Sequence, residues 1–284
     1  MNRTKIIDAH GHLLTGAQDL DRIAECGIFE QIWLLGLPEE LKIAQCLVAT
    51  TKEMFEVASR YPGLFLPFAY LDFRHPVEQV DRMVEQGIAG FKAIYPPLPY
   101  DHESYFPYYE RIASYRLPVV FHTGIVTSPP LSERPVGLSY HPANMAPGNL
   151  YNLAGAFPDL TAIAAHFSIP WNNELLPAVV RTPNLYVDVS GGMRSRCQQL
   201  MKENIDSVAS LRGGRTGTLV DKVIFGIDAC YGRANYHQDI IDSVTDWNGF
   251  WNDVKHCSWS SKSPAIVRDN AAGIIRWAKA GNIQ

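Results

Sequence analysis

The sequence predicts an α/β protein that forms a single (β/α)8 TIM barrel, and three observations support this fold class. Eight short runs rich in β-branched and aromatic residues alternate with helix-length segments. Most of the runs are nearly continuous in apolar residues, which is typical of parallel strands covered on both faces. The length of 284 residues suits one barrel, so we expect one domain over residues 1–284. The eight predicted strands are residues 5–10, 31–37, 64–71, 88–94, 118–122, 160–166, 184–189 and 222–228.

Helix stop signals mark the ends of three segments between these strands. Residues 39–61 precede Pro62-Gly63, residues 76–86 precede Gly87, and residues 104–116 end before Leu117-Pro118. A doubly wound open sheet is the alternative fold. That fold would need a glycine-rich phosphate-binding turn after the first strand, and D-A-H-G-H at residues 8–12 is not such a turn.

One long loop follows the fifth predicted strand, at residues 125–148, and it contains five prolines. Long loops inside compact domains are usually lids or binding loops, and this one would lie on the carboxyl-terminal rim of the barrel. An ordered crossover or a contact between subunits is the alternative. A tryptophan-rich segment at residues 247–259 favours packing or an oligomer surface, so a homodimer is compatible with the sequence.

Composition and charge exclude several classes of protein. Hydrophobic residues make up 46% and charged residues 19% of the chain, as in globular proteins. The net charge of −4 gives no basic surface for nucleic acid, and no apolar run is long enough to cross a bilayer. The five cysteines are scattered and form no C-x-x-C pair, which favours reduced thiols. With no leader-like segment at the start, we expect a cytoplasmic protein.

Ionisable residues fall at the ends of four predicted strands. His10 and His12 are two residues apart on the first strand, so their side chains should share a face and could bind one metal ion. His122, His166 and Asp228 each occupy the last position of an apolar run. Strand ends converge on the mouth of a (β/α)8 barrel, where active sites lie. These five residues therefore predict a metal site, and hydrogen-bonded core histidines are the alternative.

Two basic residues lie close to the same strand ends. Lys92 is inside the fourth predicted strand, where an unpaired ammonium group would be costly to bury. It could bind a substrate carboxylate, form a carbamylated bridge between two metal ions, or pair with Asp8, Asp72 or Asp188. We rank the carboxylate and ion-pair roles above the carbamate. Arg233, just after the eighth strand, is the second candidate to bind an anionic substrate.

The motifs at these strand ends resemble those of the amidohydrolase superfamily. They are IIDAHGHL at residues 6–13, GFK at 90–92, VVFHTG at 119–124, AIAAHF at 162–167, IFGIDA at 224–229 and DNAAGII at 269–275. The resemblance spans residues 6 to about 276 and is closest to the amidohydrolase-related (amidohydrolase 2) branch of TIM-barrel metal-dependent hydrolases. That branch resembles hydrolases, lactonases that include metal-free members, and non-oxidative decarboxylases such as gamma-resorcylate decarboxylase.

The resemblance also implies a role for each strand-end residue. His10, His12, His122 and Asp228 match the metal ligands of the family, and His166 matches a histidine that is a ligand in some relatives and an unligated acid/base in others. Two details are more similar to the hydrolases than to the decarboxylases. Thr123-Gly124 follows His122, and Ala229-Cys230 follows Asp228 where the decarboxylases often have Tyr-Pro.

We therefore expect an enzyme with a divalent metal ion, zinc first, with manganese or another ion as alternatives. The expected reaction is hydrolysis of a small carboxylated lactone, amide or ester, with Asp228 and His166 as catalytic residues. The alternative is non-oxidative decarboxylation of an aromatic or muconate-type acid. A non-catalytic barrel that binds a metal or a ligand is a third possibility, and it would need a closed coordination shell.

Overall fold

The structure, a computed structural model, describes residues 5–43, 46–126, 130–191, 194–204, 208–210, 216–253 and 264–281. Its described residues contain thirteen strands. They are β1 Ile6–Leu13, β2 Phe29–Leu35, β3 Lys42–Ile43, β4 Cys46–Leu47, β5 Phe65–Tyr70, β6 Gly90–Ala93, β7 Val119–Phe121, β8 Ala162–Ala164, β9 Leu185–Asp188, β10 Val208–Ser210, β11 Thr216–Thr218, β12 Val223–Ile224 and β13 Ala229–Tyr231.

Nine of these strands form one parallel sheet in the order β12-β9-β8-β7-β6-β5-β2-β1-β13. All eight predicted strands lie in this sheet, which confirms the fold class. The two strands at the ends of the order, β12 and β13, follow each other in the chain and are separated by four residues. Across this break, Ala9 N donates to Phe225 O at 2.9 Å and Asp228 N donates to His10 O at 2.7 Å. The sheet therefore closes on itself: β12 lies within the eighth predicted strand, and β13 begins directly after the predicted end at residue 228.

Nine α-helices in the described residues connect the strands. They are α1 Leu20–Glu25, α2 Thr51–Arg60, α3 Gln79–Glu85, α4 Phe106–Ser114, α5 Pro147–Ala156, α6 Asn172–Arg181, α7 Arg194–Asn204, α8 His237–Asp253 and α9 Asn270–Gly281. The predicted helices over 76–86 and 104–116 are confirmed as α3 and α4. None of the described helices has the length and apolar character that a membrane crossing requires.

The predicted helix over residues 39–61 is wrong in its first half. Lys42–Ile43 and Cys46–Leu47 pair as an antiparallel hairpin, and α2 begins only at Thr51. Thr50 forms a capping box with Glu53, because Glu53 N donates to Thr50 Oγ1 at 3.2 Å and Thr50 N donates to Glu53 Oε2 at 2.8 Å. The T-x-x-E pattern at residues 50–53 was the sequence signal for this helix start.

The long loop after the fifth predicted strand is mostly irregular where it is described. It contains two short 3₁₀ turns, Leu131–Glu133 and Pro142–Met145, while residues 127–129 lie outside the described residues. Its first residue, Ile125, is 64% exposed and also lines the cavity described below. Its role as a lid stays a prediction. Trp247 of the tryptophan-rich segment is buried against Phe225, and residues 254–259 of that segment lie outside the described residues.

Two hydrophobic clusters define the layers of the barrel. The larger one lies between the strands and the helices. The smaller one joins side chains from alternate strand positions with α9, and its buried members are Ile7, Ala9, Trp33, Leu35, Phe68, Val120, Ile163, Ala165, Ile224, Ala271, Ala272, Ile274 and Ile275. His122 lies two residues after Val120, which belongs to this inner cluster. Asp188 lies two residues after Tyr186, which packs against the cluster. The apolar interior therefore gives way to ionisable groups toward the carboxyl ends of the strands.

Candidate metal centre

A cavity of about 730 Å³ opens at the carboxyl ends of the barrel strands. It brings together the five predicted strand-end residues and Lys92. Apolar side chains from several loops complete its wall, which is the usual composition of a small-molecule site. These residues are Leu37, Leu41, Ile43, Ile94, Ile125, Val126 and Ile169. The hairpin β3–β4 that replaces the predicted helix therefore contributes to this wall.

A register shift in β1 turns His10 into the cavity. Ile7 and Ala9 belong to the inner cluster, so simple alternation would point His10 outward. The pairing of β1 with β2 shifts by one residue between Asp8 and Gly11, as in a β-bulge. Both His10 and His12 consequently line the cavity, as expected, although regular strand geometry alone does not place them there.

Three side chains bring possible ligand atoms close together. Asp228 Oδ1 lies 3.2 Å from His12 Nε2 and 3.7 Å from His10 Nε2. Two ligands held 2.0–2.1 Å from a tetrahedral ion are about 3.3 Å apart, so these separations fit one zinc-sized ion. The three residues form one of two groups of possible metal ligands in the described residues.

His122 supplies a further unused ligand atom in the same cavity. Its Nε2 is buried and has no hydrogen-bond partner among the described residues. Its ring centroid lies 4.9 Å from that of His166. A buried polar atom without a partner is costly, and a bound ion would satisfy it. His10, His12 and Asp228 therefore fit a divalent ion such as zinc or manganese, and His122 lines the same cavity without belonging to the group whose ligand atoms all lie within 4.8 Å of one another.

Hydrogen bonds to the other ring nitrogen orient two of these imidazoles. His12 Nδ1 lies 2.8 Å from Leu35 O, and His10 Nδ1 lies 2.7 Å from Asp188 Oδ2. Metal-binding histidines usually make such a bond to a carbonyl or a carboxylate, which fixes the ring. In both residues Nε2 faces Asp228, and Nε2 of His10 also lies 3.2 Å from Lys92 Nζ.

The second group of possible ligands, His10, His166 and Asp188, is already occupied by a hydroxyl group. Ser190 Oγ lies 2.9 Å from Nδ1 of both histidines and 2.5 Å from Asp188 Oδ1. These contacts form a hydrogen-bond network rather than a second metal site. The sequence indicated Asp188 only as a partner for Lys92 and assigned no role to Ser190. The polar pair two residues apart at the end of β9 was the available signal.

His166 lies on a left-handed turn that directly follows β8. Its φ is 61°, and φ is 51° at Phe167 and 50° at Ser168. This conformation costs roughly 1–2 kcal/mol for each residue with a Cβ atom. Asp188 Oδ1 accepts from His166 N at 2.9 Å, and Ser168 Oγ donates to Thr123 Oγ1 at 2.6 Å, which stabilises the turn.

Lys92 is in the cavity, whereas Arg233 is not among its lining residues. Lys92 is 1% exposed, its Nζ donates to His10 Nε2 at 3.2 Å, and it forms no ion pair with a carboxylate of the described residues. Burial lowers its pKa to about 8. Arg233 is exposed, and its guanidinium carbon lies 5.6 Å from the ring centroid of Tyr236.

Burial and neighbouring charges set the protonation of the ligand residues. Burial and the nearby Lys92 lower the pKa of His10 to about 3, and burial holds the pKa of His122 well below its usual range. Both rings are therefore neutral near pH 7, which is the form that binds metal. Burial alone would raise the pKa of Asp228, but the hydrogen bond with His12 and the nearby imidazoles hold it well below its usual range.

Comparison with known proteins places this chain in a family. The family model described as Amidohydrolase matches residues 7–245. No curated protein sequence matches the chain significantly.

Three solved structures share the fold over almost their whole length. A TIM-barrel protein from Bordetella bronchiseptica is 17% identical, with 97% of this chain and 99% of that chain covered and a TM-score of 0.63. A probable 2-pyrone-4,6-dicarboxylic acid hydrolase from Acinetobacter baumannii is 15% identical, with 96% and 99% covered and a TM-score of 0.60. A 5-carboxyvanillate decarboxylase from Novosphingobium aromaticivorans, complexed with manganese, is 14% identical, with 96% of each chain covered and a TM-score of 0.61. The chain therefore belongs to the amidohydrolase family, in its amidohydrolase 2 branch.

Proposed function

We propose that the protein is a metal-dependent hydrolase of a small carboxylated lactone, amide or ester. The observation that carries the proposal is the convergence of His10, His12, His122 and Asp228 in one open cavity, with His166 and Lys92 beside them. Catalytic metal sites keep a position free for water or substrate, and a cavity of this size leaves room for both.

A divalent ion at this position would lower the pKa of water to about 7 and polarise a substrate carbonyl. Asp228 stays ionised because of its imidazole neighbours, so its carboxylate can accept the proton of the attacking water. His166 faces the same cavity and, when its Nε2 also carries a proton, can protonate the leaving oxygen or nitrogen. The two residues thus divide the proton transfers of the reaction between them.

The rest of the cavity supports the proposed substrate class. Lys92 is the buried cation beside the ligands and can bind a carboxylate of the substrate. Ile94 and Ile169 line the cavity with other apolar residues and suit a compact ring or chain. Arg233 stays a proposed contributor only for a substrate that extends beyond this cavity.

Decarboxylation of an aromatic or muconate-type acid is the second candidate. The manganese-containing 5-carboxyvanillate decarboxylase supports it through its similar fold, and the apolar wall would accept an aromatic ring. In that reaction His166 would deliver a proton to carbon as carbon dioxide leaves.

A product assay distinguishes the two reactions. Full-length protein supplied with zinc or manganese is incubated in oxygen-18 water with carboxylated lactones, amides and esters, and separately with carboxylated phenols. We expect one oxygen-18 atom in the new carboxylate of a hydrolysed substrate, and turnover reduced roughly 10²–10⁴-fold in Asp228→Asn. Release of carbon dioxide, with no oxygen-18 in the organic product, would replace the first candidate with the second. Full turnover by Asp228→Asn would contradict both.

A further inference from the structure

The network behind the ligand residues points to a specific task for the end of β9. We propose that Asp188 and Ser190 are positioning residues that hold His10 and His166 in the tautomer protonated at Nδ1, so that both rings present an unprotonated Nε2 to the cavity. Both positioning residues are buried, at 0% and 1% exposure. The nitrogen that carries the proton in a neutral imidazole is set by the partner of the other nitrogen.

The partners of His10, which include Ser190 Oγ as an acceptor 2.9 Å from Nδ1, are compatible with only one tautomer. Asp188 Oδ2, 2.7 Å from His10 Nδ1, is a carboxylate oxygen and can only accept. Lys92 Nζ, 3.2 Å from His10 Nε2, is an ammonium donor. The proton therefore lies on Nδ1, and Nε2 keeps its lone pair.

The partners of His166 lead to the same assignment. Ser190 O, 3.3 Å from His166 Nδ1, is a carbonyl oxygen and can only accept. Ser190 Oγ, 2.9 Å from the same nitrogen, gives its own proton to Asp188 Oδ1 at 2.5 Å and is left as an acceptor. His166 Nδ1 is therefore the donor, and its Nε2 is free for the cavity.

Asp188 links the two rings, because its oxygens serve different residues. Oδ2 fixes the ring of His10, while Oδ1 accepts from the backbone N of His166 on the left-handed turn. The ring of His166 also lies close to Gly191. A Cβ atom at residue 191 would lie 2.9 Å from His166 Nδ1, so the glycine leaves room for the ring. The consequence for turnover rests on the proposed function, but the tautomers themselves do not.

A matched pair of substitutions separates this role from simple loss of a buried charge. In Asp188→Asn, the amide nitrogen would replace one of two oxygens that now accept hydrogen bonds. One faces Nδ1 of His10, and the other accepts from Ser190 and from the backbone N of His166. In Asp8→Asn, the amide oxygen can still accept from His10 N and Ile227 N, and the amide nitrogen can donate to Tyr231 Oη. Both variants remove one buried carboxylate, but only the first faces an imidazole.

The test is nitrogen-15 NMR on the full-length chain labelled at histidine, at a pH above the ordinary titration range of the ring. Long-range proton–nitrogen correlations report which nitrogen is protonated, with signals assigned by single His→Gln variants. We expect His10 and His166 to be protonated at Nδ1 in the wild type. Asp188→Asn should move His10 toward the other tautomer and lower zinc affinity about 10–100-fold.

His12 provides an internal control, since Leu35 O holds its Nδ1 independently of Asp188. Its tautomer should not change in any variant, and Asp8→Asn should leave all three rings and the zinc affinity unchanged. Ser190→Ala is the second variant if Asp188→Asn does not fold, and it should shift His166 while His10 keeps its tautomer.

Protonation of either ring at Nε2 in the wild type would overturn the assignment. An unchanged His10 tautomer in a folded Asp188→Asn variant would show that Asp188 does not set it. Inactivity of the protein toward every tested substrate would overturn the proposed function and leave this assignment intact, because the NMR signals require no turnover.

Discussion

Two fully buried carboxylates, one at the seam between β1 and β13 and one at the end of β9, have pKa values shifted in opposite directions. Asp8 accepts from the backbone N of His10 and Ile227 and from Tyr231 Oη, and burial raises its pKa to about 7. Burial acts against the ionisation of Asp188 as well, but the adjacent His10 holds its pKa well below the usual range. The two side chains are equally buried, so burial alone does not set the direction of the pKa shift, whereas an imidazole partner does. Asp8 serves the closure of the barrel, and Asp188 serves the site.

The largest expected effect on turnover comes from a substitution in the candidate metal centre. Asp228→Asn should reduce turnover roughly 10²–10⁴-fold, because the proton of the attacking water loses its acceptor. The measurement is kcat with the substrate found in the product assay, and circular dichroism checks the fold. Asp8→Asn is the matched control and should keep turnover. An equal loss of turnover in both variants would remove the distinction between seam and site.

The raised pKa of Asp8, at the seam between β1 and β13, should make the free energy of unfolding depend on pH. The pKa of Asp8 is about 7 in the folded protein against 3.8 for an ordinary aspartate, so the unfolded chain binds fewer protons between these values. Stability of the wild type should therefore fall as pH rises from about 4 to about 7, by on the order of 4 kcal/mol relative to Asp8→Asn. Urea unfolding of chelator-treated protein measures this difference. Parallel pH curves for the two proteins would contradict the raised pKa.

Gly226→Ala tests how closely the two regions approach each other. A Cβ atom at residue 226 would lie 2.8 Å from His10 Cβ and 3.0 Å from Ser190 Cβ. Overpacking of this kind costs about 1–3 kcal/mol, and here it would also displace His10, so both the free energy of unfolding and zinc affinity should fall.

Gly155→Ala in α5 is the control for Gly226→Ala, since a Cβ atom there meets nothing within 4 Å. This helix substitution should stabilise the protein by about 0.4–1 kcal/mol. A Gly226→Ala protein as stable as wild type, with full zinc affinity, would show that the strands can separate without consequence for the ligands.

Arg233→Ala should have the smallest effect. The side chain is exposed and lies over Tyr236 rather than in the cavity. Exposed charges contribute up to about 1 kcal/mol, so KM for a small carboxylated substrate should rise less than about fivefold. Lys92→Met is the comparison, and its KM should rise more. A larger effect of Arg233→Ala would extend the substrate site beyond the described cavity.

Strand positions and the ionisable residues at their ends could be predicted from the sequence. Parallel strands buried on both faces produce apolar runs, and the barrel forces their carboxyl ends together. His122, His166 and Asp228 could therefore be placed before any coordinates. The predicted function class follows from the same convergence.

Other features depend on contacts between residues that are distant in the chain, and local sequence patterns do not reveal such contacts. The register shift beside His10 arises from the pairing of β1 with β2, and no periodicity in the sequence reveals it. Ser190 acquires its role only through two histidines that are distant in the chain. The antiparallel pair β3–β4 was hidden by an apolar pattern that a helix would also satisfy.

The central claim is that His10, His12, His122 and Asp228 hold a single divalent ion. The most direct measurement is the metal content per chain of full-length protein purified without chelator, compared with a His10→Ala/His12→Ala variant that retains its fold. We predict about one equivalent in the wild type and almost none in the variant, since two of the four ligands are lost. Two equivalents, or a wild type that takes up no metal even when zinc or manganese is supplied, would contradict the claim.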